Sequence, residues 1–141
     1  MNDIFEFKKL IKAIYPGLNV TVSLELAESQ NKVAVVEFKA CLTGSALYTP
    51  VEAKGHSAAT VATYLKGAVA KSRREKDARN VLSECVRRSG NSLDMAQKDD
   101  IMRELLHCPY REYEARAASC RSRAVAIGNA QREALNQDLA A

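Results

Sequence analysis

Between residues 18 and 26 the chain alternates without a fault: Leu18, Val20, Val22, Leu24 and Leu26 take the even positions and Asn19, Thr21, Ser23 and Glu25 the odd ones. A period of two puts all five apolar side chains on one side of an extended strand and leaves the other side wet. After the polar turn Ser29-Gln30-Asn31-Lys32, a second strand places Ala34, Val36, Phe38, Ala40 and Leu42 on one face, with Glu37 and Lys39 opposite. A further turn around Thr43-Gly44-Ser45 leads to a weaker third strand through Leu47 and Val51. Pro50 has no N–H to give to a ladder, so this strand belongs at an edge or breaks there. Three strands joined by short turns make an antiparallel meander.

Helical spacing governs the rest. Ahead of the strands, Ile4, Phe7, Ile11 and Ile14 recur at helical intervals with Leu10 beside them, Lys8, Lys9 and Lys12 take the other face, and Pro16-Gly17 stops the helix. Behind the strands, Ser57 is suited to cap a helix whose stripe is Val61, Leu65, Ala68 and Val69. That stripe fails from Ser72 to Asp77 and resumes at Val81, Leu82, Cys85 and Val86, which fits one long helix or two with a joint near Ser72. Ser89-Gly90-Asn91-Ser92 is a break, Asp94 and Gln97 form the pattern of a capping box, and Cys108-Pro109 closes the helix that follows. The last helix carries Tyr110, Tyr113, Ala117, Cys120, Ala124 and Ile127 in alternating steps of three and four, the spacing of a packing seam. The expected class is α+β within a single domain, residues 1–71 forming an α-β-β-β-α head and residues 72–141 a helical extension.

The chain of 141 residues is 47% hydrophobic, enough for a core of its own. No stretch approaches the roughly 18 apolar residues of a membrane helix, and the start Met1-Asn2-Asp3 is unlike a secretion signal, so a cytoplasmic location is expected. The four cysteines, Cys41, Cys85, Cys108 and Cys120, form no CxxC pair and read as reduced thiols. The net charge of +4 is unevenly placed. Residues 1 to 56 balance at six basic against six acidic side chains, whereas the run from Lys66 to Arg88 holds eight basic and three acidic.

The order of elements over residues 2 to 71 is similar to that of double-stranded RNA-binding domains. Gly55-His56-Ser57-Ala58-Ala59-Thr60-Val61-Ala62 also falls where that family opens its final helix with a Gly-x-Ser-Lys-Lys-like motif. The resemblance implies an α-β-β-β-α fold and contact with RNA. Ala58 and Ala59 stand where the family's phosphate-gripping lysines would be, so the family's mode of contact is missing from this chain.

Candidate sites follow from charge and donor chemistry. Lys66, Lys71, Arg73, Arg74, Lys76, Arg79, Arg87 and Arg88 are suited to phosphates, since clustered cations release the counterions condensed on nucleic acid. Aromatic side chains do not interleave with them, so base stacking is not indicated. Lys54, His56 and Ser57 mark a second anion site at a helix start. Cys85, His107, Cys108 and Cys120 are the right donors for zinc but lack a knuckle spacing, so no metal is expected. No phosphate-binding glycine loop, dinucleotide fingerprint or metalloprotease motif is present, and neither histidine, His56 nor His107, lies in a nucleophile motif. The expectation is a non-enzymatic protein without cofactor that binds nucleic acid or another polyanion. The alternatives are an interaction module or small inhibitor of a larger protein machine, of the kind phages encode, and a pocket sequestering a small anion such as a nucleotide at Lys54 to Ser57. The seam from Tyr110 to Ile127 is the expected surface of a homodimer.

Overall fold

The computed structural model describes residues 3–28 and 33–140, so the turn expected at Ser29 to Lys32 lies outside the described residues. In chain order the elements are helix α1 (Asp3–Ile14), strands β1 (Asn19–Glu28), β2 (Ala34–Thr43) and β3 (Val51–Gly55), helix α2 (Ala58–Arg88), helix α3 (Met95–His107), a 3-10 turn (Tyr110–Glu112) and helix α4 (Tyr113–Ala140). The fold is α+β. Two compact units divide it, Met1–Lys76 and Asp77–Ala141.

In the first unit the strands form one antiparallel sheet in the order β1-β2-β3. Val20 faces Leu42, Val22 faces Ala40 and Leu24 faces Phe38, while Leu42 and Ala40 face Val51 and Ala53 on the far side. Alternation therefore builds one continuous apolar face. Phe7 and Ile11 of α1 and Val61, Leu65 and Val69 of α2 bury themselves with Val20, Ala40, Leu42 and Val51 in a single cluster, and the Phe7 and Phe38 rings meet edge to face at 5.1 Å. Burial in α1 is narrower than its periodicity implies, for Ile4, Leu10 and Ile14 stay 38%, 45% and 48% exposed.

The third strand begins only after Pro50, and Leu47 lies in the preceding connection, where it is buried without entering the ladder. What holds that connection is Ser72. Its hydroxyl donates to the Thr49 carbonyl at 2.9 Å and accepts from the Thr49 N–H at 3.1 Å, and its own carbonyl accepts from the Tyr48 N–H. The residue that interrupts the apolar stripe is thus a polar clamp inside a continuous helix, not a joint. Gly55 ends β3 against the first turn of α2, where a Cβ would meet the Thr60 methyl at 2.9 Å.

In the second unit Ala78, Val81 and Cys85 of α2 form a core with Ile101 and Leu105 of α3 and Ala117, Cys120 and Ala124 of α4. The α2 helix ends through Gly90 and Asn91, both with positive φ (62° and 65°), a conformation glycine and asparagine tolerate best. The expected capping box is present: Gln97 N–H donates to Asp94 Oδ1 at 2.8 Å and Asp94 N–H donates to Gln97 Oε1 at 2.9 Å. At Gly128 the backbone of α4 comes so near Ser89 that a Cβ would lie 2.8 Å from its carbonyl oxygen. Only glycine fits there.

Two stability differences follow. Ser72→Ala strands the Thr49 N–H and C=O, which costs about 1–3 kcal/mol in urea unfolding. Gly128→Ala forces the helix away from Ser89 and costs about 1–3 kcal/mol, whereas Gly67→Ala, where a Cβ meets nothing within 4 Å, gains about 0.5–1 kcal/mol through helix propensity. Equal effects at the two glycines would contradict the packing described.

Candidate polyanion surface

All eight basic residues singled out from the sequence fall on α2, but the structure gives them different surroundings. Arg88 Nη2 is tied to Glu84 Oε1 at 2.7 Å, one turn back, and Arg74 and Arg79 each already interact with a neighbouring group. Lys71 lines a groove of 330 Å³ together with Glu52, Ser72 and Glu75, so two carboxylates share its surroundings. Lys66, Arg73 and Arg87 are exposed and Lys76 half-buried, and no ion pair among the described residues engages these four. The Arg73 guanidinium stands 5.8 Å from the centre of the Tyr15 ring, within cation–π range, which steadies it without neutralising it. Tyr15 escaped the sequence reading because it lies far along the chain from Arg73, and a lone tyrosine after a helix carries no signal.

Within the first unit, Lys66, Arg73 and Lys76 lie in an arc of about 80° around the helix, at about 100° per residue. Beside them, Ala59, Thr63, Gly67 and Ala70 are small and exposed or nearly so, and the space over Gly67 is open. A backbone of phosphates can approach such a strip closely.

Three arginines of α4 are spent within the second unit. Glu104 receives Arg123 at 2.5 Å and Arg116 at 3.4 Å, Arg116 also meets Glu112 at 3.2 Å, and Arg121 meets Glu84 at 2.9 Å. Burial pushes the Glu104 carboxyl up, but the hydrogen bonds and charges of Arg123 and Arg116 outweigh it and hold the group below the ordinary carboxylate range. The hydrogen bond from Arg121 does the same for Glu84, against a smaller opposing effect of burial. Apart from Arg116 with Glu112, these pairings join residues 12 to 37 positions apart, a distance over which composition alone gives no warning.

The second anion site is less open than its sequence suggests. Ser57 accepts the Thr60 N–H at 3.1 Å and shares a hydrogen bond with the Thr60 hydroxyl at 2.9 Å, so its oxygen is engaged as a helix cap. Lys54 and His56 are exposed, and the groove beside β3 does not include them. On the open face of the sheet Lys39 is clasped by Glu52 at 3.1 Å and Glu25 at 3.8 Å, which leaves that face mixed in charge.

The seam expected to join two copies is filled from within the chain. Ala117, Cys120 and Ala124 are at most 1% exposed in the core of the second unit, and Tyr113 and Ile127 pack against that core. Tyr110 is 86% exposed in the 3-10 turn that precedes α4. The small residues admit the chain's own helices, so the assignment of Tyr113, Ala117, Cys120, Ala124 and Ile127 to a dimer interface is corrected to intramolecular packing. Cys85, Cys108 and Cys120 are buried free thiols, and no cluster of metal-ligating side chains occurs among the described residues. Burial pushes the Cys85 and Cys120 thiols up, so both stay protonated at neutral pH. No helix among the described residues is long and apolar enough to cross a membrane. Comparisons with protein-family models, with characterised proteins and with solved structures gave no match to this chain.

The carboxylates of Glu84 and Glu104 contribute to the loss of stability in acid. Because Glu104 and Glu84 ionise more readily when folded, their contribution is complete above the ordinary carboxylate range and is lost as pH falls through their lowered folded values. The urea midpoint should hold steady from pH 7 to about 5 and drop below about pH 4, and Glu84→Gln with Glu104→Gln should flatten that drop. An identical pH profile in the double variant would remove these two groups from the explanation.

Proposed function

We propose that this protein binds a polyanion, nucleic acid in the first place, without catalysing a reaction, and that Lys66, Arg73 and Lys76 of α2 are its principal contacts. The observation that carries this reading is the contrast in charge use. The three arginines of α4 described above each meet a carboxylate, whereas these three cations of α2 meet none among the described residues. A cation left without a partner costs nothing while hydrated and becomes available for phosphate, where release of counterions supplies the driving force. The net excess on α2, eight basic side chains against three acidic ones, has the sign this requires. Small side chains beside the cations suit contact with a backbone rather than with bases, so the binding should depend on charge more than on sequence.

Three phosphate contacts on a duplex give a defined salt response. Affinity should fall roughly fortyfold between 50 and 200 mM monovalent salt, at a slope of about 0.9 per contact. Replacing Lys66, Arg73 and Lys76 together with glutamine should reduce that slope by nearly three while circular dichroism and thermal unfolding remain close to those of the wild type. Fluorescence anisotropy with short labelled duplexes of DNA and RNA reads both quantities. Affinity unchanged by the triple substitution would overturn the assignment of the surface, and no binding at 50 mM salt would overturn the function.

A further inference from the structure

The two edges of the sheet are finished differently. β3 is five residues long and follows directly on Pro50, so it offers little to an incoming strand. β1 is ten residues long, pairs with β2 in unbroken register over its whole length, and contains neither proline nor lysine. No strand among the described residues covers its outer edge. A long, regular, unprotected edge is what folded proteins avoid unless something pairs with it.

Exposed apolar side chains also lie on β1 and on the helix packed against it. α1 packs against β1, and among the described residues Ile4, Phe5, Leu10 and Ile14 of α1 and Leu24 and Leu26 of β1 are all between 38% and 77% exposed. Leu26, at 77%, belongs to the same face of the strand as the buried Val20. The outer half of the apolar face therefore continues past the core that covers its inner half.

We propose that the occupant of this edge is the β1 strand of a second copy, paired antiparallel about a two-fold axis at Ser23. The strand's own sequence argues for this. Opposite residues of an antiparallel pair lie on the same face of the sheet, so only registers that set even positions against even ones keep the apolar face intact. Centring on Ser23 places Leu26 beside Val20 of the partner and Leu24 beside Val22, each exposed leucine next to a valine from the covered half. Glu25 falls opposite Thr21, and no acid faces another. Centring one residue later, on Leu24, sets Glu28 against Val20 and spoils the apolar row. Charge and apolarity thus select one arrangement among those that use the full strand. The axis runs perpendicular to the sheet, and the product is a six-stranded antiparallel sheet with the β3 strands at its two ends. The pairing uses none of the α2 cations, so it stands or falls apart from the proposed binding activity.

Light scattering and sedimentation of the full chain at micromolar concentration test this. The wild type should have twice the chain's mass of 15.5 kDa, and Leu26→Lys, which changes a side chain outside the core, should return it to the monomer mass with its thermal unfolding otherwise intact. The register is tested by Thr21, which is exposed and meets Glu25 of the other copy only in the arrangement centred on Ser23. Thr21→Lys should tighten the dimer and Thr21→Glu should weaken it, each by roughly three- to tenfold in dissociation constant for the two symmetric pairs. A monomeric wild type, or a dimer whose mass Leu26→Lys leaves unchanged, would overturn the proposal. Equal effects of lysine and glutamate at Thr21 would overturn the register.

Discussion

One helix has to serve two cores. Val61, Leu65 and Val69 of α2 belong to the cluster built on the sheet, and Ala78, Val81 and Cys85 belong to the cluster built with α3 and α4. Between the last apolar residue of the first set and the first of the second lie Ala70 to Asp77, a stretch rich in charge in which Ser72 is bonded to Thr49. Such a segment cannot be held by hydrophobic burial, so its helicity rests on propagation from both ends and on the hydroxyl clamp to Thr49. Its charges are then a consequence of position. Side chains that face water on most sides of a helix can be lysine and arginine at little cost, and here no ion pair among the described residues engages Lys66, Arg73 or Lys76.

The fold was legible wherever a pattern had one physical meaning. Perfect alternation from Leu18 to Leu26 can only be a strand with one covered face, the Asp94 and Gln97 spacing fits the start of a helix, and Ser89 to Ser92 is hostile to helix continuation. Ambiguity entered where two arrangements satisfy the same pattern. A polar residue such as Ser72 within a helical run breaks an apolar stripe whether the helix bends there or clamps a loop, and only the partner at Thr49, 23 positions away, distinguishes the two. The seam through Ala117, Cys120 and Ala124 was correctly seen as a packing surface, but small residues at intervals of three and four accept a helix from the same chain as readily as one from another. Gly128 marks the close approach to Ser89, but a glycine in a helical sequence equally fits the end of a helix.

The candidate site was legible in its residue types and not in its selection. Counting lysines and arginines finds the basic segment, but counting does not show which cations are already occupied. Arg88 has Glu84 one turn behind it, a pairing that helical spacing anticipates, whereas the claim of Arg121 on the same carboxylate depends on how α4 meets α2. Exposed ion pairs contribute little to stability, yet they matter for function because they remove charge from the surface. Cys85 and Cys120 illustrate the same point in reverse: burial holds both thiols protonated, so they fill space in the core.

The proposed edge pairing at β1 would bear on the proposed polyanion binding through valence. A two-fold axis perpendicular to the sheet leaves both copies' helices on the same face of the joined sheet, so the α2 cations of the first unit, from Lys66 to Lys76, are presented twice toward one side. A single set of three contacts gives modest affinity at physiological salt, because each contact contributes only through the counterion it releases. Two sets on one rigid scaffold convert the second encounter into an intramolecular event, which raises apparent affinity by far more than a factor of two when the polyanion is long enough to reach both. By linkage, a long duplex that engages both sets must favour the dimer to the same degree that the dimer favours the duplex, whereas a duplex too short to span them must leave the association of the two copies unchanged. Dependence of dimerisation on duplex length is thus the property that would join the two proposed surfaces into one mechanism.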